Sequence, residues 1–188
     1  MKKSLFFIVL LCTVSACGQV TVSTDSGIEK PVLTAEQKEI IADGKELIWK
    51  ENGLKWTIPE SWNKLLERPD FLTYGLPSSG TMFVSLTPAE SLEQAESINK
   101  KHYDRQLENA GKGLVEQVRY LEIAGIKGVE FIEKVPTGEG WRRYMWLAYR
   151  EFNGKPQMIQ VVCGFKEPGF EKNRAICASV LYSMEQLK

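Results

Sequence analysis

The sequence holds very little of what enzymes and metalloproteins use for chemistry. His102 is the only histidine among 188 residues, so any catalytic triad or imidazole metal site would have to use it. An HExxH helix, a GxSxG elbow, a phosphate-binding P-loop and a dinucleotide fingerprint are all missing. We therefore expect no enzyme activity, no catalytic residue, no metal and no cofactor. His102 is interpreted as a half-buried packing residue on a helix.

The chain also has no excess of positive charge, since 24 basic residues stand against 24 acidic ones. Proteins that bind nucleic acid neutralise its phosphates with lysine and arginine, so nucleic acid is not an expected partner. Beyond residue 14 no hydrophobic run is long enough to span a bilayer. An apolar content of 43% is typical of an ordinary globular domain. The sequence leaves the oligomeric state open.

The N-terminal residues predict a leader. Two lysines precede an apolar run over residues 5–14, and two small residues follow it. This order is typical of a secretory signal peptide. Residues 14–17, Val-Ser-Ala-Cys, resemble the bacterial lipobox, in which the cysteine (here Cys17) is lipidated and begins the mature chain. The alternative is an ordinary secreted protein with an incidental cysteine.

The lipobox resemblance implies three segments and a location. They are a lipoprotein signal peptide over residues 1–16, a lipidated N-terminus with a flexible tether over 17–33, and a single domain over 34–188. Two or more acyl chains such as palmitate hold a protein stably on a membrane surface. Gly18 stands where an aspartate would retain a lipoprotein in the inner membrane. We therefore expect the cell envelope, and in a Gram-negative host the periplasmic face of the outer membrane.

Three helices are predicted in the domain. A capping box of Thr34 and Gln37 begins a short one, and a long one runs from Leu92 to Ala110. The third closes the chain over residues 170–187. In the long helix, apolar positions recur at helical spacing and predict one buried face: Leu92, Ala95, Ile98, His102 or Tyr103, Leu107 and Ala110.

Strands are predicted on either side of the long helix. Asn52-Gly53 and Asn153-Gly154 each join two alternating runs, which is the strongest short signal for a hairpin. Strands joined by such short turns are antiparallel. The strand that begins near Trp141 is apolar on both faces, so both faces must be covered. The prediction is an α+β fold, an α/β/α sandwich with a central antiparallel sheet.

This order of elements resembles the PsbP-like family, which includes bacterial lipoproteins of the DcrB type. The resemblance covers about residues 47–187 and rests on "NGLKWTIPESW", the long helix after "TPAES", the late hairpin and the final "ASVLYSMEQL". It implies a non-enzymatic, membrane-anchored protein that acts by binding another protein of the envelope. That partner could be a toxin that it neutralises or an assembly that it supports.

A second function stays open at this point, a carrier of a small apolar ligand or lipid. Such a carrier needs a pocket of several hundred Å³, whereas a filled core favours protein recognition. The pocket would lie between the sheet and a helix, with three aromatic residues as candidate liners: Trp62, Phe83 and Tyr103.

Candidate partner-binding residues follow a glycine-rich segment at the end of a predicted strand. They are Trp141, Arg142 and Arg143, and interfaces are enriched in both residue types. The alternative is that Trp141 packs on the sheet while both arginines point to solvent.

Two cysteines remain for the folded domain, Cys163 and Cys177. In an oxidising compartment they are candidate partners in a disulfide between a strand and the closing helix. Such a bridge would close a loop of about 15 residues and contribute about 3 kcal/mol on the chain-entropy account. The alternative is a pair of buried free thiols that pack as small hydrophobic residues.

Overall fold

The computed structural model describes residues 21–23, 27–76, 80–134 and 140–187. The predicted signal peptide, Cys17 and much of the predicted tether lie outside these ranges. The described chain contains three α-helices, α1 (Ala35–Ala42), α2 (Leu92–Gly111) and α3 (Gly169–Tyr182). The predicted capping box begins α1, since the Thr34 hydroxyl accepts from the Gln37 backbone N–H and the Gln37 side chain accepts from the Thr34 backbone N–H.

Twelve strands are described in the same ranges. In chain order they are β1 (Thr21–Ser23), β2 (Glu29–Pro31), β3 (Lys45–Trp49), β4 (Leu54–Ile58), β5 (Asn63–Arg68), β6 (Phe71–Leu76), β7 (Gly80–Pro88), β8 (Val115–Ile123), β9 (Ile126–Glu133), β10 (Trp141–Phe152), β11 (Lys155–Lys166) and β12 (Glu185–Gln186). Nine of them form a central sheet in the order β1-β2-β8-β9-β10-β11-β7-β6-β5. Its pairs are antiparallel except β2–β8, which is parallel.

Helices cover both faces of the central sheet. Successive side chains of a strand point to opposite faces, and β10 shows this clearly. Tyr144 and Trp146 lie in the larger core with α3, whereas Met145 packs on the smaller core with α2. Helix α1 packs against α3. The predicted α+β fold with helices on both sides of an antiparallel sheet is therefore confirmed.

The first predicted hairpin lies in a separate small sheet, of order β12-β4-β3. Trp49 and Trp56 are fully buried there, in the same core as α3. The expected continuation of the last helix to residue 187 is wrong, because α3 ends at Tyr182 and residues 185–186 pair with β4. Ser183 fixes this end, since its hydroxyl accepts from the Thr57 N–H (2.9 Å).

The predicted buried face of α2 is wrong in part. Leu92, Ile98 and Leu107 are exposed, while the polar Asn99 and Gln106 are buried beside Ala95. Asn99 is held there because its Nδ2 donates to the Lys127 carbonyl oxygen at 3.1 Å. Polar side chains that find partners in the sheet therefore displace the larger apolar ones from the buried face.

Candidate functional site: a cavity beside a buried ion network

The cysteine pair lies where the sequence places it. Cys163 on β11 and Cys177 on α3 are both buried, and both are free thiols in the structure. Burial first, and then the adjacent Cys163 thiol, raise the pKa of the Cys177 thiol well above its usual range. The disulfide stays a prediction, and the contact between the two side chains is its structural basis.

Arg142 does not point to solvent. Its side chain is 9% exposed and lies over the Phe170 ring, with 4.4 Å between Cζ and the ring centroid. Nη2 donates to Glu116 at 3.0 Å, and Nη1 donates to Glu167 at 3.2 Å and to Glu171. The hydrogen bond from Arg142 lowers the pKa of Glu171. Because its donors are used inside the protein, Arg142 is a structural ion rather than a free contact for a partner.

The two neighbours of Arg142 point to the other face of the sheet. Arg143 forms a two-point ion pair with Glu133, with distances of 2.7 and 2.5 Å. Trp141 is half-buried, and Lys166 Nζ lies 5.9 Å from its ring centroid. Of the three predicted partner-binding residues, Trp141 is therefore the one whose side chain is not held in an ion pair.

His102 packs as expected. It is half-buried, its ring lies 5.7 Å from that of Phe131, and its Nε2 is 3.3 Å from the Gln106 amide. Burial, with a smaller contribution from Arg105, lowers the pKa of His102. In the described ranges no group of three or more His, Cys, Asp or Glu side chains is placed to hold a metal ion. No helix within the same ranges is long and apolar enough to cross a bilayer.

A buried carboxylate lies at the centre of a polar network under α3. Glu130 is fully buried on β9, and its Oε1 accepts from the hydroxyls of Tyr144 and Tyr182, the latter at 2.6 Å. Arg119 Nη1 lies 3.4 Å from Glu130 Oε2, and the Arg119 Nη2 pairs with Glu29 at 2.8 Å. Burial raises the pKa of Glu130, and Arg119 with the two hydroxyls opposes that shift. Burial raises the pKa of both tyrosines, so their hydroxyls stay protonated and can donate.

A bulge in β8 joins this network to the cluster around Arg142. The pairing register between β8 and β9 shifts between Glu116 and Arg119, and Gln117 has a positive φ of 53°. This geometry lets the Gln117 amide reach Glu130 Oε2 (3.4 Å) while its Oε1 accepts from Arg174 on α3. Arg174 also lies 3.2 Å from Glu116. The bulge therefore ties α3 to the sheet through polar contacts.

A cavity of about 430 Å³ opens beside this network, between α1, α3 and the sheet. Three alanines supply its apolar wall, namely Ala35, Ala175 and Ala178. Tyr144 and Gln117 line it from the sheet, and Arg174 and Glu171 line it from α3. The first turn of α1 forms the remaining wall. None of the three residues considered as liners of an apolar site, Trp62, Phe83 and Tyr103, lines this cavity, and Trp62 is buried in the core.

Gln37 offers the cavity a free hydrogen-bond donor. The residue is 6% exposed and lines the cavity, and its Oε1 is used in the cap of α1, where it accepts from the Thr34 N–H at 2.9 Å. Its Nε2 has no acceptor among the described residues. Nε2 is not among the fully buried atoms without a partner, so it is accessible and can donate to a ligand oxygen in the cavity. Glu36 supplies an exposed carboxylate at the same wall.

The sequence carries one signal for this network. In β9 a glutamate interrupts "GVEFI", a run whose other members are all buried. A charged residue in a strand buried on both faces has to find partners in the protein. Those partners come from β8, β10 and α3, so no local pattern identifies them.

The structure is similar to solved structures at low sequence identity. A protein of Bacteroides thetaiotaomicron VPI-5482 matches with a TM-score of 0.50 and 15% identity over 77% of this chain, which spans about half (49%) of that protein. Cyanobacterial PsbP (CyanoP) of Synechocystis sp. PCC 6803 matches at a TM-score of 0.46, with 11% identity and 76% and 91% of the two chains covered. The Ran-binding protein Mog1p of Saccharomyces cerevisiae matches at 0.45, with 10% identity and 77% and 96% covered.

The likeness concerns the fold alone. No family model matches the sequence, and no match is found among curated proteins. A PsbP protein is among the similar structures, as the sequence resemblance leads one to expect. TM-scores below 0.5 do not indicate a shared function.

Proposed function

We propose that this protein binds a small polar molecule in the cavity between α1 and α3 and does not convert it. The observation that carries the proposal is the unpaired amide donor of Gln37, a residue that lines a cavity of about 430 Å³. Cavities of this size are typical of sites for small molecules, in which a few placed polar groups fix the ligand.

The lining favours a polar ligand over the apolar one considered from the sequence. Gln37 donates, Glu36 accepts, and the alanines give room for a short apolar part. Arg174 and Glu171 are paired with each other (3.6 Å) and with Glu116 and Arg142 respectively, so they add polarity without a large net charge. A neutral or zwitterionic molecule fits this combination better than a strongly charged one.

Binding without turnover follows from how the ionisable groups are used. Glu130 is fully buried, and it accepts from two tyrosines and pairs with Arg119. A general base must reach the proton that it removes, and Glu130 does not line the cavity. Glu171 is already held by two arginines. These pairings support a binding protein rather than an enzyme.

The proposal includes a lipid anchor on Cys17 in the cell envelope, supported by the lipobox pattern. Thr21 already lies in β1, so the chain between Cys17 and Thr21 can extend over at most about 15 Å. The cavity wall at residues 34–37 follows shortly after, so the anchor would keep the binding site close to the membrane surface. A Cys17→Ser variant should leave the membrane fraction, and unchanged retention would rule out the anchor.

Filling the cavity tests the binding proposal. Ala175→Leu places a larger side chain into the cavity and leaves the ion network intact, while Ala42→Leu on the exposed side of α1 is the matched control. In a thermal-shift screen of small polar metabolites, a compound at tenfold its Kd should raise the Tm of the wild type by about 3 °C or more. Ala42→Leu should respond like the wild type and Ala175→Leu should not. Equal responses of all three proteins would refute this site.

A second candidate function, recognition of an envelope protein, is favoured by Trp141. Its half-buried indole lies at the end of β10 without a hydrogen bond among the described residues. Cross-linking in the cell envelope tests this proposal. The wild type should form a cross-link to an envelope protein, and Trp141→Ala should lose it. The control variant Lys50→Ala, changed at an exposed lysine, should keep it. A cross-link that survives Trp141→Ala would remove this candidate.

A further inference from the structure

A second cavity, of about 320 Å³, lies on the opposite face of the sheet, beside the first two turns of α2. The lining residues that would contact a ligand through charge, hydrogen bonds or a large apolar surface are Leu92, Glu93, Glu96, Asn99, Lys127 and Tyr149. Tyr149 and Tyr144 are five residues apart on β10 and therefore point to opposite faces. The two cavities are thus separate, and this one is independent of the function proposed above.

Asn99 brings a buried acceptor to this cavity. The residue is 2% exposed, and its Nδ2 is used in the hydrogen bond to the Lys127 carbonyl oxygen at 3.1 Å. Its Oδ1 is fully buried and has no donor among the described residues. Leaving such an oxygen unpaired costs about 1–3 kcal/mol, so an incoming donor gains by pairing with it.

The charges around the cavity favour a cation. Glu93 and Glu96 are acidic, and Lys127 is the one basic side chain among the lining residues. The Lys127–Glu96 pair is loose, with 3.7 Å between Nζ and Oε1 and with both side chains largely exposed. Lining charge is therefore negative by one unit. The Tyr149 ring adds an aromatic face of the kind that attracts ammonium groups.

We propose that this cavity binds the ammonium group of a small aliphatic primary amine. An ammonium carries three N–H donors and no acceptor, so it can pair with Asn99 Oδ1 and with the carboxylate of Glu96 together. Leu92 and Ala95 offer apolar surface to the alkyl part. A bare metal ion would leave most of the volume unfilled, and a neutral alcohol would bring one donor and no charge.

Titration of the full chain with n-pentylammonium chloride tests this proposal by NMR. The side-chain amide of Asn99 and the backbone amides of residues 92–99 should shift and saturate, with a Kd of about 1 mM or tighter. Binding of 1-pentanol should be at least about tenfold weaker, because it lacks the charge and two of the donors. Equal affinity for 1-pentanol, or no saturable shift, would overturn the proposal.

Three variants distinguish binding in this cavity from nonspecific electrostatic attraction of cations to the protein. Asn99→Leu should weaken n-pentylammonium binding about tenfold, since it removes the unpaired oxygen. Glu96→Gln should weaken it about fivefold, as expected for one exposed ion pair. Glu108→Gln, on the exposed side of the C-terminal half of α2, should bind as the wild type does. If Asn99→Leu fails to fold, Glu96→Gln decides alone, and wild-type affinity in that variant refutes the site.

Discussion

Arg142 and Glu171 join the centre of the sheet to the first turn of α3 through an ion pair over the ring of Phe170. Glu116 and Glu167 complete the set of carboxylates around the guanidinium, at 3.0 and 3.2 Å. The contact holds the helix that forms one wall of the larger cavity. The shape of the cavity therefore depends on an ion cluster in which Glu171 lines the cavity and Arg142 does not.

The adjacent arginines 142 and 143 should differ sharply in their effect on stability. Arg142→Leu takes the cation from Glu167 and leaves Glu116 and Glu171 with Arg174 alone. It should lower the free energy of unfolding by about 3 kcal/mol, the lower end for breaking a buried ion pair, because Glu171 is 55% exposed. Arg143→Leu removes one partly exposed pair and should cost at most about 1 kcal/mol. Urea unfolding measures both. Similar losses for the two variants would contradict the placement of Arg142.

The buried Glu130 should make stability depend on pH. Burial raises its pKa above the ordinary value of 4.5. When the pKa of a carboxyl group is raised in the folded state, its contribution to stability is fully present below pH 4.5. That contribution is lost as the pH rises through the pKa of the folded state. Glu130→Gln removes this dependence. The stability of the wild type relative to the variant should therefore fall between about pH 4 and pH 8.

Urea unfolding at both pH values checks that sign, with the exposed Glu108→Gln as the control. The wild type and the control should change in parallel. If instead the wild type gains stability relative to Glu130→Gln as the pH rises, Arg119 and the tyrosines outweigh burial. That result would contradict the expectation.

Oxidation should join Cys163 to Cys177 during folding rather than afterwards. Burial raises the pKa of the Cys177 thiol, so the folded protein holds little of the thiolate that attacks a disulfide. Protein folded under oxidising conditions should contain the bridge and be about 3 kcal/mol more stable than its reduced form. Mass spectrometry after alkylation under denaturing, non-reducing conditions measures this. Two alkylated thiols in material from an oxidising compartment would show that no bridge forms.

Two glycines should respond in opposite ways to the addition of a methyl group. At Gly128 a Cβ would lie 2.6 Å from the Cβ of Ala148 and 2.7 Å from the Leu147 oxygen, so Gly128→Ala should cost about 1–3 kcal/mol. At Gly111, the last residue of α2, a Cβ would have no neighbour within 4 Å. Gly111→Ala should therefore stabilise the protein by up to about 1 kcal/mol. Thermal unfolding of both variants tests the close approach of β9 to β10.

Local signals account for the parts of the fold that the sequence predicts well. The cap of Thr34 and Gln37 and the turn at Asn153-Gly154 each depend on residues within a few positions of one another. The α+β fold follows from such elements together with a strand that is apolar on both faces.

Long-range contacts account for what the sequence does not predict. Arg119 and Glu29 are 90 positions apart, and Tyr182 and Glu130 are 52 apart. Such a network leaves no periodic pattern, and the cavity beside it exists only once α1 and α3 are both in place. The buried face of α2 was missed for a related reason, since Asn99 is buried by a partner on β9 and not by its own hydrophobicity.

The central claim is that a small polar molecule occupies the cavity at Gln37. The most direct measurement takes a compound that stabilises the wild type and follows the side-chain amide resonances of the protein as it is added. We expect a saturable shift of the Gln37 amide, no shift of the Asn99 amide, and no binding to Ala175→Leu. A compound that binds without moving the Gln37 resonance, or that binds Ala175→Leu equally well, would contradict it.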